Sequence, residues 1–148
     1  MRITAFAATS LLTFTILGAL LRAQEGSKQK EARSVYGELE KVPEKYRAKE
    51  NPLARDPEAV AAGEVLFGEY CEECHGKQAM GGKKAPSLRV TEVQTAPPGA
   101  LYYILTNGVV RKGMPVWSKL PEPQRWQLVS YLRSLGVATA GAPQPTKP

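Results

Sequence analysis

Histidine is nearly absent from this chain of 148 residues: there is one, at position 75. That scarcity excludes any centre held by two imidazoles. Cysteine is almost as rare, with only Cys71 and Cys74. No cysteine follows the apolar run near the N-terminus, which excludes a lipid-bearing cysteine anchor there. Acidic side chains all but vanish from residues 74–120, where Glu92 stands alone against seven basic residues. No stretch alternates apolar and polar residues over a useful length, so strands are not expected. No internal repeat is visible either, and the length allows one domain at most.

The segments that are present divide the chain. Residues 1–23 carry one early positive charge, Arg2, and then an apolar run from Ile3 to Leu21. That layout is a secretory signal peptide with Ala23 as the last residue removed. The competing reading is an uncleaved membrane anchor, since the run approaches the roughly 20 residues that span a bilayer. Residues 24–55 are highly charged, with few apolar positions and no sustained period, and read as an arm without a core of its own. Residues 56–136 form the expected folded domain. Residues 137–148, rich in Pro, Ala and Gly, read as a disordered tail.

Charge follows this division unevenly. Residues 24–73 hold 8 basic and 12 acidic side chains, whereas residues 74–120 hold Lys77, Lys83, Lys84, Arg89, Arg111, Lys112 and Lys119 against Glu92. Such a lopsided stretch suggests a surface that faces anions. For an exported protein an acidic protein partner is a better fit than nucleic acid.

Three helices are expected in the domain. The first opens at Asp56-Pro57-Glu58, which supplies an N-cap, a first-turn proline and an acid at the positive end of the helix dipole. Val60, Gly63, Phe67 and Cys71 then share one face. A glycine in mid-helix costs about 1 kcal/mol relative to alanine, so close crossing of another helix is the interesting explanation for Gly63. A short helix follows Pro97-Pro98-Gly99, with Leu101, Ile104 and Leu105 inward, and stops at Asn107-Gly108. A last helix over 122–135 turns Trp126, Leu128, Val129, Tyr131, Leu132 and Leu135 inward and is expected to end at Gly136. This is an all-α fold with long loops. Its core is small for a domain of this size, and residues 76–97 lack clear periodicity, so a large apolar ligand inside is expected.

The segment CEECHG, residues 71–76, says which ligand. A Cys71–Cys74 disulfide would close a very short loop, and short loops gain least from closure. A redox dithiol of the thioredoxin type expects a βαβ context that is missing. Structural zinc needs four ligands, and Cys71, Cys74 and His75 are three. The remaining reading is covalent attachment of haem c, for which Cys-x-x-Cys-His is the signature. Two thiols three residues apart on a turn can meet the two vinyl groups along one haem edge. The histidine that follows is then placed to reach the iron. Apart from Met1, the methionines available on the other side are Met80 and Met114. Met80 leaves the proximal side only five residues after His75. Met114, in RKGMPVW, has chain enough to pass around the haem and is the expected sixth ligand.

These residues resemble the class I cytochromes c, small monohaem electron carriers and subunits. The likeness covers roughly residues 56–136. Gly63, Phe67 and Cys71 look like that family's N-terminal helix, and LVSYLRSL (128–135) like the helix that crosses it. APSL (85–88) resembles the segment whose proline carbonyl, here that of Pro86, accepts the proton on the unligated nitrogen of His75. GMPVW (113–117) resembles the methionine-ligand loop of bacterial cytochromes associated with oxidases and quinoprotein dehydrogenases. In the arm, Tyr46, Asn51 and Pro52 look like a segment that wraps the domain in some bacterial members. The resemblance implies a cytochrome c fold and an exported, periplasmic one-electron carrier that does no bond chemistry itself. Acidic oxidase, dehydrogenase or quinol-oxidising complexes of a respiratory chain would be its partners, and the membrane would be met only through them or an uncleaved anchor. Two rivals stand beside it: a haem subunit of a larger membrane complex, and a peroxidase or gas sensor with an open iron. The second would need Met114 to leave the iron.

Overall fold

The computed structural model describes residues 36–139, and from Glu38 onward these form one unit. The expected signal segment (1–23), the start of the arm and most of the expected tail lie outside the described residues. In chain order the α-helices are α1 (Glu44–Arg47), α2 (Pro57–Tyr70), α3 (Glu72–His75), α4 (Thr91–Gln94), α5 (Pro98–Asn107) and α6 (Glu122–Thr139). Short 3-10 turns occupy Lys77–Ala79 and Val110–Lys112. Among the described residues there is no strand, only an isolated antiparallel bridge between Val109 and Met114. The chain is helical, as its patterning predicts. The helices beyond the three expected, α1, α3 and α4, are four residues each, too short for a 3.6-residue period to declare itself.

Asp56 caps α2 as its sequence dictates: its Oδ1 accepts from the Glu58 amide at 2.9 Å, and Pro57 occupies the first turn, where its missing N–H is no loss. The inward face of α2 meets α6, the most extensive helix pairing among the described residues. Phe67, Leu128 and Val129 are sealed from solvent there, and the Phe67 and Tyr131 rings sit 5.3 Å apart. Gly63 explains the closeness of the crossing. A Cβ at that position would collide with the Gln127 carbonyl and lie 2.9 Å from Tyr131 Cβ.

The last helix does not stop at Gly136 but runs on to Thr139. The reason is packing rather than capping. Gln94 lies where a Cβ on Gly136 would be, its Nε2 donating to the carbonyls of Leu132 (3.1 Å) and Leu88 (2.8 Å). Arg133 Nη1 donates to the Gln94 carbonyl, and Arg89 Nη2 to that of Leu135 (3.3 Å). The segment around α4 is thereby tied to α6 through side chains that reach backbone oxygens.

On the opposite flank the chain before α2 packs along α5 and α6. Val42 is buried, and the Tyr46 ring lies 4.8 Å from that of Tyr103. The carbonyls of Tyr46 and Lys49 occupy the space a side chain on Gly99 would need. Asn51 is buried with its hydrogen bonds made: Nδ2 donates to Ser130 Oγ (2.9 Å) and the Trp126 carbonyl (3.4 Å), and Oδ1 accepts from the Leu53 amide (2.9 Å). Stacking of Tyr102 on Trp126 at 4.1 Å closes this side.

Candidate functional site

Cys71 follows directly from α2, its amide donating to the Phe67 carbonyl at 2.9 Å, and α3 is one turn that returns to it. The amides of Cys74 (3.2 Å) and His75 (2.9 Å) both donate to the Cys71 carbonyl. Cys71, Cys74 and His75 therefore share a single turn, as their spacing demands. The two thiols are free, Cys71 half-buried and Cys74 exposed. Burial, followed by the neighbouring Cys74, pushes the Cys71 thiol up to about 11. A thiol held that high is the reverse of the lowered value that a redox dithiol uses. Glu73, between the cysteines, points out to Lys84, with Oε1 2.6 Å from Nζ.

His75 is half-buried, and its Nδ1 lies 3.0 Å from the Pro86 carbonyl. A carbonyl can only accept, so the proton sits on Nδ1 and Nε2 keeps its lone pair for a metal. Burial lowers the His75 pKa, opposed by the bond to Pro86, and the net direction favours this neutral, ligating form.

Met114 lies on the segment after α5. Its backbone pairs with Val109 in both directions, at 3.0 and 3.2 Å. Gly108 (φ 67°) and Gly113 (φ 86°) supply the left-handed conformations at the two ends of that small loop. The Trp117 amide donates to the Leu105 carbonyl at 3.1 Å, and the Trp117 ring meets Tyr70 at 5.5 Å. Met114 is half-buried in a segment held at both ends. Met80 is 63% exposed on the loop after His75.

Phe67, Leu88, Ile104, Trp117, Leu120 and Trp126 are apolar residues suited to burying a haem. Two of them, Phe67 and Trp126, are buried against other rings in the helix core, while Leu88, Ile104, Trp117 and Leu120 are half-buried. Two unpaired thiols on one turn, a histidine with a fixed tautomer and a set of half-buried apolar side chains fit a covalent haem c. Cys71 and Cys74 would hold it, and His75 Nε2 would meet its iron.

Sequence reasoning did not single out Gln78 and Ala79. Both adopt left-handed backbone, at φ 54° and φ 60°, and the Ala79 carbonyl accepts from the Leu88 amide at 2.9 Å. The only signal for a special backbone here was the pair of glycines that flank them, Gly76 and Gly81.

Comparison with known proteins agrees with this chemistry. A family profile described as cytochrome C oxidase, cbb3-type, subunit III, matches residues 58–132. Cytochrome c550 of Pseudomonas aeruginosa is 31% identical over 90 residues, 58% of this chain and 62% of that protein. The cbb3-type cytochrome c oxidase subunit CcoP of Rubrivivax gelatinosus is 53% identical over 36 residues, 24% of this chain and 12% of that protein. The chain thus spans less than two thirds of the length of either relative. Cytochrome CL from the marine methylotroph Methylophaga aminisulfidivorans has a similar fold, with a TM-score of 0.50 and 24% identity over 66% of this chain and 74% of that one.

Proposed function

The chain belongs to the cytochrome c oxidase cbb3-type subunit III family, and on that premise we propose that it carries single electrons between exported or membrane-bound redox partners through a His75/Met114-ligated haem. Membership brings with it a covalently bound haem c and its iron. Bound at Cys71 and Cys74, that group supplies one-electron chemistry between ferrous and ferric iron, and soft thioether ligation favours the ferrous form.

The protein's own residues do the rest. The Pro86 carbonyl holds the proton on His75 Nδ1 and so orients the ring. Leu88, Ile104, Trp117 and Leu120 keep water from the site. Lys77, Lys83, Arg111, Lys112 and Lys119 present positive charge on the segments that follow CEECHG and flank Met114, which supports docking to an acidic face of an oxidase or dehydrogenase. A role as a fixed subunit of a larger respiratory complex is the second reading, favoured by the likeness to an oxidase subunit. Among the described residues no helix is long and apolar enough to cross a membrane. Export through the N-terminal segment, with removal after Ala23, completes the proposal.

The observation that carries the ligand assignment is the contrast between the two methionines: Met114 is half-buried in a segment held at both ends, and Met80 is exposed on a loop. Optical spectra of the ferric holoprotein test it. Met114→Ala is expected to abolish the weak sulfur-to-iron charge-transfer band, with Met80→Ala retaining it. The opposite pattern would overturn the assignment. Carbon monoxide binding to the unmutated ferrous protein at neutral pH would favour an open-site sensor instead.

A further inference from the structure

The loop that leaves His75 has an unusual backbone. Between residues 76 and 81, positive φ occurs at Gly76 (73°), Gln78 (54°), Ala79 (60°) and Gly81 (81°). Glycine adopts this region freely, whereas each non-glycine residue there is strained by its Cβ against the carbonyl that follows. Two adjacent strained residues persist only when their surroundings hold them. Ala79 is fully buried and Gln78 is exposed, so packing grips one of the pair and backbone bonds must hold the other.

Those bonds converge on Pro86. The Gly81 amide donates to the His75 carbonyl at 2.6 Å, folding the loop back on the histidine. The Ala79 carbonyl accepts from two groups just past Pro86, the Leu88 amide (2.9 Å) and Ser87 Oγ (3.3 Å). Just before Pro86, the Ala85 carbonyl accepts from the Gly82 amide at 2.9 Å. Gly81 lies against the Ser87 backbone, with no room for a side chain. Pro86 is thus bracketed from both sides by the same loop, and its own carbonyl faces His75 Nδ1 at 3.0 Å.

We propose that the left-handed pair Gln78–Ala79 is a positioning device that aims the Pro86 carbonyl at His75 Nδ1 and thereby sets the donor strength of the iron's histidine ligand. The direction of the Ala79 carbonyl depends on the φ and ψ of this pair, and the segment carrying Pro86 hangs from that carbonyl. This deepens the reading above and rests on His75 being the iron ligand. A ligand histidine whose Nδ1 proton is held by a carbonyl donates more strongly and favours ferric iron. Loosening the device should therefore raise the reduction potential.

Gln78 offers a clean test because its side chain is exposed and packing does not change with it. Valine, β-branched, opposes left-handed backbone, whereas glycine accepts it. In the ferrous holoprotein, Gln78→Val is expected to speed solvent exchange of the His75 Nδ1 proton about tenfold, matching the cost of one poorly tolerated left-handed residue. The midpoint potential should rise with it. Gln78→Gly should leave both at the parent values. If Gln78→Val does not mature, Ser87→Ala, which removes one hold on the Ala79 carbonyl, is expected to shift both readouts in the same direction by less. Loss of denaturant stability in Gln78→Val with unchanged exchange and potential would overturn the proposal and leave the loop a purely structural element. Absence of an axial-imidazole signature in the parent protein would sink the ligand reading itself, a failure distinct from the first.

Discussion

At the crossing of α2 and α6, Phe67, Leu128 and Val129 are closed off from solvent, whereas Leu88, Ile104, Met114 and Trp117 on the loop side are only half-buried. The two regions are also held by different forces. The crossing rests on ring and aliphatic packing around Gly63. The loop side rests on single backbone bonds between distant points: Leu88 to Ala79, Trp117 to Leu105, Val109 to Met114. A region built from packed side chains can stand alone. A region built from isolated backbone bonds around half-buried apolar residues depends on what it surrounds, because each exposed bond exchanges readily with water.

Removing the proposed attachment points should break this contrast most visibly. A chain with both Cys71→Ser and Cys74→Ser is expected to lose the covalent haem mass. Its amides between residues 79 and 117 should lose exchange protection by about a hundredfold or more, well beyond the loss in α2 and α6. Equal loss in both regions would show that the crossing too depends on the haem.

Gly63→Ala probes the other side of the comparison. Alanine improves helix propensity by about 1 kcal/mol, but its Cβ meets the Gln127 carbonyl, which is backbone and cannot step aside cheaply. A net destabilisation of about 1–3 kcal/mol is expected, read as a lower denaturation midpoint with the haem spectrum unchanged. A higher midpoint would mean that the two helices slide apart at little cost.

The smallest effect belongs to the loop side's surface. Lys84, by hydrogen bond and charge, holds the Glu73 carboxyl below its usual range. A carboxyl lowered in the folded state contributes stability above its unfolded pKa, and that contribution is lost as pH falls through the lowered folded value. Because both groups are exposed and screened, Glu73→Gln should leave the midpoint at neutral pH within error of the parent. It should flatten the acid limb of the stability profile only slightly. A large fall at neutral pH would show that the pair braces the attachment turn.

Much of the helix crossing was legible beforehand because it obeys local rules. Asp56-Pro57 caps a helix whatever surrounds it, and Gly63 with Phe67 on α2, and Leu128 with Leu132 on α6, recur at a helical period. Gly136 was misread for the complementary reason. A glycine near the end of an apolar period looks like a stop, yet here it makes room for Gln94, a residue 42 positions earlier in the chain. The geometry of the loop side was not legible in the sequence. Periodicity carries no information about a segment whose turns are four residues or fewer, and nothing in the letters Gln-Ala announces two left-handed residues.

The turn that carries Cys71, Cys74 and His75 was decided by the sequence alone. Cys71, Cys74 and His75 lie within one helical turn by covalent spacing, so no tertiary contact is needed to bring them together. With one histidine in the chain, composition alone leaves a single imidazole that could meet a haem iron. What only the tertiary structure decided is how that histidine is held. Pro86, whose carbonyl reaches His75, lies 11 positions further along the chain, beyond a strained backbone in which Ala79 is fully buried. Strain of that kind persists only where the rest of the fold opposes its release, and so it cannot be read from the residues that bear it.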